Sequence, residues 1–391
     1  MVREIIVLTP IYVSLFWSFV FLTNRFSINK ARYWLGIFML VVSVLYSCHA
    51  GFFMGYANFY LKVDSLYLVT GLSVFPLYYI YVRILTCDID FHWSYLIHFI
   101  PAILLAVILV FLSIEATSEA RQIYYSEVLI RNKWPDGHAL IIQSMAFIFY
   151  ASRAIFGVQV IGYLVAGYRL AKKYDHRIAD FYSNLEGRQL IWVKLLTVSF
   201  LLTSIASSAV NIIGRGLFMT NDLILAVPSA LFSTLFFIIG LQGNKQDYTI
   251  RSLVEDEDKD QFVVTEPPDS RHDELKVGLI NLLETRQVYL GSELRITELC
   301  RELNTNRTYL SNLINNEFKL SFNDLINLYR VKHAASLIED KKADGLSLND
   351  IAGDSGFGSL SSFNRAFKKV KGVTPGQYRN EVKISRGKVE S

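Results

Sequence analysis

The amino-acid sequence predicts an all-α protein in which a bundle of seven membrane-spanning helices precedes a smaller globular domain. The 391-residue chain is 52% hydrophobic and only 19% charged, a balance more apolar than that of ordinary soluble proteins. Long apolar stretches are confined to residues 1–243. They are followed by an acidic segment, 244–270, which we interpret as a flexible linker, and by short amphipathic helical patterns in residues 271–391.

Each predicted span is about long enough to cross a bilayer, whose hydrocarbon core of about 30 Å requires about 20 apolar residues in a helix. The seven stretches are 4–23, 33–53, 65–85, 95–114, 139–168, 190–213 and 223–241. The first stretch lacks a small-residue cleavage site, so we expect it to be a retained span rather than a signal peptide.

The distribution of Lys and Arg predicts the orientation of the spans. With the N-terminus outside, the inner connections hold ten of these residues and the outer connections hold six. Because positive charge favours the cytoplasmic side, we expect an outside N-terminus and a cytoplasmic C-terminal domain. The predicted location is a bacterial inner membrane.

Two features of the apolar half are candidates for a functional role. Arg153 lies near the middle of the fifth stretch, where a charge is costly and usually faces a partner or a cavity. Either it couples the spans to another part of the protein, or the long fifth helix is shifted relative to the membrane and Arg153 snorkels or pairs without a functional role. The connection 115–138 contains Tyr124, Tyr125 and Trp134, which either cap a ligand site or, in the preferred interpretation, anchor the loop at the membrane interface.

The sequence also argues against several functions. No predicted span carries a paired Asp, Glu or His relay, which disfavours a proton-coupled transporter. The three cysteines are scattered, and Cys48 beside His49 is better explained by packing than by metal binding. We find no nucleotide-binding loop, kinase signature or nucleophile elbow, so we expect no enzyme activity, no cofactor and no metal.

Charge changes sharply along the second half of the chain. The segment 244–270 holds three Lys or Arg against eight Asp or Glu and includes Pro267 and Pro268, which favours a flexible tether. Residues 359–391 hold eight basic residues against two acidic ones. A basic end of this kind suits a polyanionic partner, although a solvated tail would have the same composition.

Two segments of the C-terminal domain resemble each other at an offset of 52 residues: ITELCRELN at 296–304 and LNDIAGDSG at 348–356. Cys300 aligns with Ala352, and Asn304 aligns with Gly356. In a helix-turn-helix the first of these positions must be small, because the second helix crosses closely there, and the second must accept a left-handed backbone.

Helical patterns follow both segments, so we predict two helix-turn-helix motifs. The second helices are expected at roughly 306–317 and 359–370, and a longer helix, 322–338, connects the two motifs. Its expected inner face carries Leu325, Leu328, Tyr329, Ala335 and Ile338.

The second motif and the residues after it resemble the signature region of the AraC/XylS transcription regulators. The matching residues are Ile351, Ala352, Gly356, Phe357, Ser359, Phe363, Arg365, Phe367, Lys368, Gly372, Thr374, Pro375, Tyr378 and Arg379. The upstream half also fits, with Tyr309–Ser311 and Phe322–Arg330, so that the resemblance covers about 273–380. Cys300 departs from the usual Ala, and the soluble cupin-like sensor that is familiar in the family is not visible in the first half of the chain.

The resemblance implies that both second helices read DNA in the major groove through residues near their N-terminal ends. It assigns base-facing positions to Arg307, Thr308, Ser311 and Asn312 in the first motif and to Leu360, Ser361, Asn364 and Arg365 in the second. Arg365 has the alternative role of a structural or phosphate contact. Lys368, Lys369 and Lys371 would hold phosphates, or simply form an exposed helix end, while Phe357, Phe363 and Phe367 are expected in the core.

The leading hypothesis is a membrane-embedded one-component transcription regulator that binds promoter double-stranded DNA in response to an unknown ligand or protein signal, and that forms a homodimer in some states. Signalling would change the oligomeric state or the access of the domain to DNA. The acidic segment 255–260 would compete with DNA for the basic face around 365–371. One alternative is a transport or channel module with a C-terminal domain that docks a protein, and another is a membrane anchor from which cleavage in 243–270 frees a soluble regulator.

Overall fold

The computed structural model describes residues 2–23, 30–87, 92–189, 191–213, 215–245, 250–259, 272–340 and 345–389. Within these ranges the chain is helical, with one isolated antiparallel bridge between Tyr182 and Arg295. The chain divides into two compact units, Met1–Lys172 with Leu190–Ile250 and Lys173–Gln189 with Arg251–Ser391. The second unit therefore includes a short stretch, 173–189, that precedes the C-terminal domain by many residues in sequence.

Among the described residues up to 245, nine α-helices follow one another, and a helix lies at each of the seven predicted spans. They are α1 Val2–Leu22, α2 Lys30–Phe53, α3 Ala57–Thr86, α4 Ile100–Glu115, α5 Ser118–Ile123, α6 Leu140–Ala179, α7 Ile191–Ile213, α8 Gly216–Thr220 and α9 Asp222–Lys245. A 3-10 turn, Trp93–Phe99, leads into α4, and a π-helical turn, Tyr124–Ile130, follows α5. The last residues of α6, from Lys173, belong to the second unit.

Six described helical segments are long and apolar enough to cross a membrane, at six of the seven predicted positions. The predicted sixth span coincides with α7, in which several side chains lie outside the described residues. The count of seven spans therefore stays a prediction.

The surface of α4 shows why such helices suit a membrane. Ala102, Leu105, Ala106 and Leu109 are buried on one side of this helix. The opposite side exposes large apolar residues, namely Ile103, Leu104, Val107, Phe111 and Ile114. A continuous exposed apolar surface of this kind is typical of contact with lipid.

Small and polar side chains hold the apolar helices together. The helix α1 packs against α2 and α9, and α2 packs against α3. At Gly240 in α9, an added Cβ would lie 2.2 Å from the Trp17 ring, so this close approach requires glycine. Ser18 donates a hydrogen bond to the Gly36 carbonyl oxygen over 3.1 Å.

One sequence expectation about this unit is wrong, and one helix is longer than its predicted span. Tyr124 and Tyr125 are buried, whereas Trp134 is 44% exposed, so the two tyrosines do not anchor a loop at the membrane interface. The connection that carries them folds back as α5 and a π-helical turn. The helix α3 begins at Ala57 instead of residue 65 and therefore includes Asp64, a buried carboxylate that the sequence analysis left outside the spans.

In the part of the second unit that the structure describes, eight α-helices lie after residue 249, together with the stretch 173–189. They are α10 Ile250–Lys259, α11 His272–Glu284, α12 Ile296–Glu302, α13 Arg307–Leu313, α14 Phe322–Glu339, α15 Leu348–Asp354, α16 Leu360–Lys371 and α17 Pro375–Val389. The helix α10 occupies part of the predicted flexible linker, and residues 246–249 and 260–270 of that linker lie outside the described residues. The helix α14 covers the predicted connecting helix, 322–338.

Candidate DNA-binding interface

The first predicted motif is a helix-turn-helix formed by α12 and α13. Cys300 is buried where the two helices approach, and Asn304 has a φ of 47°, the left-handed conformation that the sequence predicted. The Asn306 side chain accepts a hydrogen bond from the Tyr309 amide over 2.9 Å and so caps the N-terminus of α13. A π-helical turn, Ile314–Phe318, extends α13 one residue past its predicted end at 317.

The second motif, formed by α15 and α16, repeats this design. Ser347 and Asp350 form a capping box at the start of α15, and the Ser347 hydroxyl lowers the pKa of the Asp350 carboxyl by donating a hydrogen bond to it. Gly356 has a φ of 80°, and an added Cβ would lie 2.7 Å from the carbonyl oxygens of Tyr289 and Leu290. Glycine is therefore required here both by the backbone conformation and by the close packing of the 288–290 turn.

The three phenylalanines of the second motif form its core, as predicted. Phe357 is 5% exposed, and Phe363 and Phe367 are completely buried. They pack with buried residues of α14 and α15, namely Val331, Ala334, Ala335, Ile338, Ile351 and Ala352. This core fixes the orientation of α16, and with it the side of α16 that faces solvent.

The side chains predicted to face bases lie on α13 and α16, and most of them are accessible. Thr308 and Asn312 are exposed on α13, and Arg307 and Ser311 are half-buried. On α16 the exposed side chains are Leu360, Ser361, Asn364 and Arg365. These groups are suited to base recognition, since Arg can form two hydrogen bonds with guanine, Asn can form two with adenine, and an apolar side chain can contact the thymine methyl group.

The basic end of α16 is also exposed. Lys368, Lys369 and Lys371 all lie in its last turn and are accessible to solvent. The ammonium group of Lys369 pairs with the Asp324 carboxylate of α14 over 2.6 Å, so part of its charge is already compensated. Lys368 is the better candidate for a phosphate contact on this helix.

The segment between α6 and α7, residues 180–188, is built into the DNA-binding unit, and we call it the docking segment. The Ser183 amide donates a hydrogen bond to the Leu294 carbonyl oxygen over 3.0 Å. The Ile296 amide donates to the Phe181 carbonyl oxygen over 3.1 Å. These two bonds make the antiparallel bridge and join the segment to the first turn of α12.

Two buried side chains of α14 hold the docking segment at Ser183. The Asn323 amide donates to the Ser183 carbonyl oxygen over 2.6 Å. The guanidinium of Arg330, only 1% exposed, donates to the Ser183 hydroxyl over 3.1 Å and to the carbonyl oxygens of Tyr289 and Gly291 over 2.7 and 2.6 Å. Burial lowers the pKa of Arg330 to about 10, so the guanidinium remains charged at neutral pH while backbone oxygens satisfy its donors.

An exposed network reinforces the docking segment. The Glu293 carboxylate accepts hydrogen bonds from Asn184 over 2.7 Å and from Arg188 over 2.9 Å. The Tyr182 hydroxyl donates to the Asp256 carboxylate of α10, which also pairs with Arg295 over 3.5 Å. Asp256 was expected to compete with DNA for the basic face 365–371, but in the structure it supports the docking segment.

The docking segment contacts the N-terminal ends of both predicted recognition helices. The Arg307 guanidinium lies over the Phe181 ring, 5.9 Å from its centroid. Burial raises the pKa of Asp180, while the neighbouring His176 and Arg307 act against that rise, so Arg307 is within electrostatic range of this carboxylate. Before α16, an added Cβ on Gly358 would lie 2.8 Å from the side-chain nitrogen of Asn184.

Sequence reasoning missed the docking segment completely. Its residues were counted only as part of an inner connection between two predicted spans. An available signal was the aromatic pair Phe181 and Tyr182 in an otherwise polar loop, since both side chains need a surface on which to be buried.

Comparisons with known proteins agree with this geometry. A family model described as a helix-turn-helix domain matches residues 299–381. The chain is 34% identical over 90 residues to the uncharacterized HTH-type transcriptional regulator YtdP of Bacillus subtilis (strain 168), a match covering 23% of this chain and 11% of that protein.

Two further relatives are regulatory proteins. The chain is 33% identical over 92 residues to the Msm operon regulatory protein of Streptococcus mutans, covering 24% of this chain and 32% of that protein. It is 34% identical over 84 residues to the TCP pilus virulence regulatory protein of Vibrio cholerae, covering 22% of this chain and 29% of that protein.

These matches involve only part of each protein. This chain spans between 11% and 32% of the length of the curated relatives that it matches. No solved structure matches the chain with significance. The two motifs, their capped helices and these relatives lead to the same conclusion: residues 299–381 form a helix-turn-helix domain that is similar to parts of known transcription regulators.

Proposed function

We propose that this protein is a membrane-embedded one-component regulator, which binds promoter DNA through α13 and α16 while residues 1–243 sense a signal. The proposal is supported by six apolar helices in the first part of the chain and by the helix-turn-helix domain at its end. The N-terminus lies outside a bacterial inner membrane, and the DNA-binding domain is cytoplasmic. The Lys and Arg bias of the connections supports this orientation.

The observation that carries the proposal is the docking segment. It follows directly in sequence on the fifth predicted span, and it is hydrogen-bonded to α12 and α14 of the DNA-binding unit. An independent appendage that only docked another protein would have no need of such a connection. A regulator needs one, because a change in the spans must reach the recognition helices.

The contacts of the segment favour inhibition in the docked state. Arg307 is a predicted base-reading residue, and the docking segment engages it through the Phe181 ring and the Asp180 carboxylate. The N-terminal ends of recognition helices are the parts that enter the major groove. With Asn184 beside the entry to α16, the segment constrains the reading end of each helix. In this mechanism the signal releases the docking segment, and DNA binding follows.

DNA binding is tested with the full-length protein in lipid nanodiscs. Chromatin capture from cells identifies bound fragments, and fluorescence anisotropy then measures affinity for those fragments and for scrambled DNA over a salt series. We expect specific binding that weakens with salt as phosphate contacts are lost. Equal affinity for captured and scrambled DNA at every salt concentration would contradict the proposal and favour a protein-docking domain.

A further inference from the structure

The first unit encloses a cavity of about 220 Å³ bounded by α2, α3, α6, α7 and α9. Most of its wall is apolar and aromatic and includes Phe53, Phe75, Phe156, Phe200, Phe232 and Phe236. A small cluster of polar groups also lines it, with Asp64, Tyr67 and Tyr124 beside Arg153 and Arg215. An apolar cavity with a few convergent polar groups is the usual form of a small-molecule site.

The acidic member of this cluster already has a partner. Asp64 is 7% exposed, and its carboxylate accepts a hydrogen bond from the Tyr124 hydroxyl over 3.0 Å. Tyr124 reaches it from the π-helical turn after α5, the connection that the sequence analysis considered as a cap over a ligand site. Asp64 is the one carboxylate among the described residues that line the cavity.

The two basic members lie against the same aromatic ring. The Arg153 guanidinium is 3.8 Å from the centroid of Phe149, and that of Arg215 is 5.6 Å from it. Arg153 donates a hydrogen bond to the neutral Asn132 amide oxygen over 2.6 Å. Arg215, only 6% exposed, donates to the Tyr67 hydroxyl over 3.5 Å, and no carboxylate of the described residues lies within 4.0 Å of its guanidinium.

Among the described residues that line the cavity, two guanidinium groups therefore stand against one carboxylate, a formal excess of one positive charge. Two like charges near each other in a low-dielectric cavity repel, which raises the cost of burying them. An anion placed between the guanidinium groups would remove this cost and would accept charge-assisted hydrogen bonds from both.

We propose that the cavity binds a small organic carboxylate, with the carboxylate at Arg153 and Arg215 and an apolar body against the phenylalanines. A cavity of about 150 Å³ holds benzene, so by proportion 220 Å³ holds about nine heavy atoms, the size of benzoate. This ligand class specifies the signal in the proposed function and rests on it.

Binding is measured by isothermal titration calorimetry on the full-length protein in nanodiscs, without DNA. The probes are benzoate, octanoate, benzyl alcohol and benzylamine. Compared with benzoate, octanoate changes the shape of the apolar body, benzyl alcohol replaces the carboxylate by a neutral hydroxyl, and benzylamine carries a positive charge instead of a negative one. We expect benzoate to bind at least about tenfold more tightly than benzyl alcohol, because only the carboxylate pairs with the arginines, and benzylamine not to bind. Tighter binding of octanoate than of benzoate would assign the site to aliphatic acids and leave the carboxylate class unchanged.

Two variants with opposite expected effects test the roles of Arg215 and Asp64 in binding the carboxylate. Arg215→Gln is expected to weaken benzoate binding about tenfold or more, whereas Asp64→Asn keeps the shape, removes the competing negative charge and is expected to strengthen it. Arg131→Gln is the matched control, since Arg131 lies in the same part of the chain, is 61% exposed and pairs with Glu127. If Arg215→Gln does not fold, Asp64→Asn alone decides the question.

Three results would overturn the inference: no binding of either carboxylate, equal binding of benzoate and benzyl alcohol, or weaker binding of benzoate to Asp64→Asn. Because the titration contains no DNA, these results leave the proposed DNA-binding function untouched. Conversely, a protein that binds benzoate but no specific DNA would refute the proposed regulator and retain the carboxylate site.

Discussion

Phe181→Ala is the most informative single change, because it weakens the docking segment without altering any residue predicted to contact DNA. Phe181 is completely buried, and its ring lies under the Arg307 guanidinium. Its carbonyl oxygen accepts a hydrogen bond from the Ile296 amide, and this backbone bond does not depend on the side chain. The substitution therefore acts on packing and leaves the hydrogen-bonding groups of the bridge in place.

The expected size of the effect follows from the burial. Truncating a buried Phe to Ala costs about 3–5 kcal/mol, and here the cost is paid only when the segment is docked. At 1.4 kcal/mol per factor of ten, the ratio of docked to undocked protein falls by a factor of about 10² to 4 × 10³. If the docked form does not bind DNA, the apparent affinity rises by the factor by which the undocked fraction rises. We therefore expect specific DNA to bind at least about tenfold more tightly.

The assay is fluorescence anisotropy on full-length protein in nanodiscs, with hydrogen exchange of residues 294–296 as an independent measure of undocking. Glu186→Gln is the matched control, because Glu186 is an exposed residue of the same segment and should leave both readouts unchanged. If exchange at Ile296 accelerates while the DNA affinity stays within about twofold, the docking segment does not inhibit DNA binding. Weaker DNA binding would mean that the docked form is the active one.

The remaining predictions concern the turn, the DNA contacts and pH. Gly356→Ala should lower unfolding stability by about 2–4 kcal/mol in thermal denaturation, because φ is positive and the Cβ meets backbone oxygens, whereas Gly353→Ala within helix α15 has open space and should stabilise slightly. Asn364→Ala should cost about 1–3 kcal/mol of DNA-binding free energy and relax specificity at one base pair. Lys368→Ala should weaken binding to all DNA sequences alike and reduce the slope of log affinity against log salt concentration by about 1. Identical behaviour of the two variants would refute the assignment of Asn364 to a base and Lys368 to a phosphate. Burial raises the pKa of Glu293, but hydrogen bonds and charge from the docking segment outweigh it and hold the pKa below 4.5. The contribution of Glu293 to the stability of docking is therefore present above its unfolded pKa and is lost as pH falls through the lower pKa of the folded protein. Hydrogen exchange at Ile296 should accelerate over this pH range, and Glu293→Gln should abolish that pH dependence.

Several features of this protein follow from the sequence alone because each rests on a local pattern. Apolar stretches of about 20 residues place the helices of the first unit, since a membrane span needs a set length. A left-handed position such as Asn304 or Gly356 can be read from residue type, because few side chains tolerate that conformation. The burial of Phe363 and Phe367 follows from helical spacing in the same way.

Other features depend on contacts between residues that are far apart in sequence, and only the tertiary structure reveals them. Ser183 binds Asn323 and Arg330 across about 140 positions of the chain, and no local pattern in either segment indicates the partner. Tyr124 was interpreted as an interface anchor because aromatic residues in a loop have that role in membranes, yet it turns inward to Asp64. The sequence indicates for Arg215 only a contribution to membrane topology, whereas its burial beside Arg153 and Phe149 places it in the wall of a cavity.

The physical reason is the same in each case. Backbone conformation, helix capping and hydrophobic spacing are decided within one or two turns of chain, so the sequence by itself determines the helices and the two helix-turn-helix motifs. The docking of residues 180–188 and the excess positive charge of the cavity depend on which side chains meet after the helices have packed. Those meetings are decided by burial and by the pairing of polar groups across the fold, and they appear only in three dimensions.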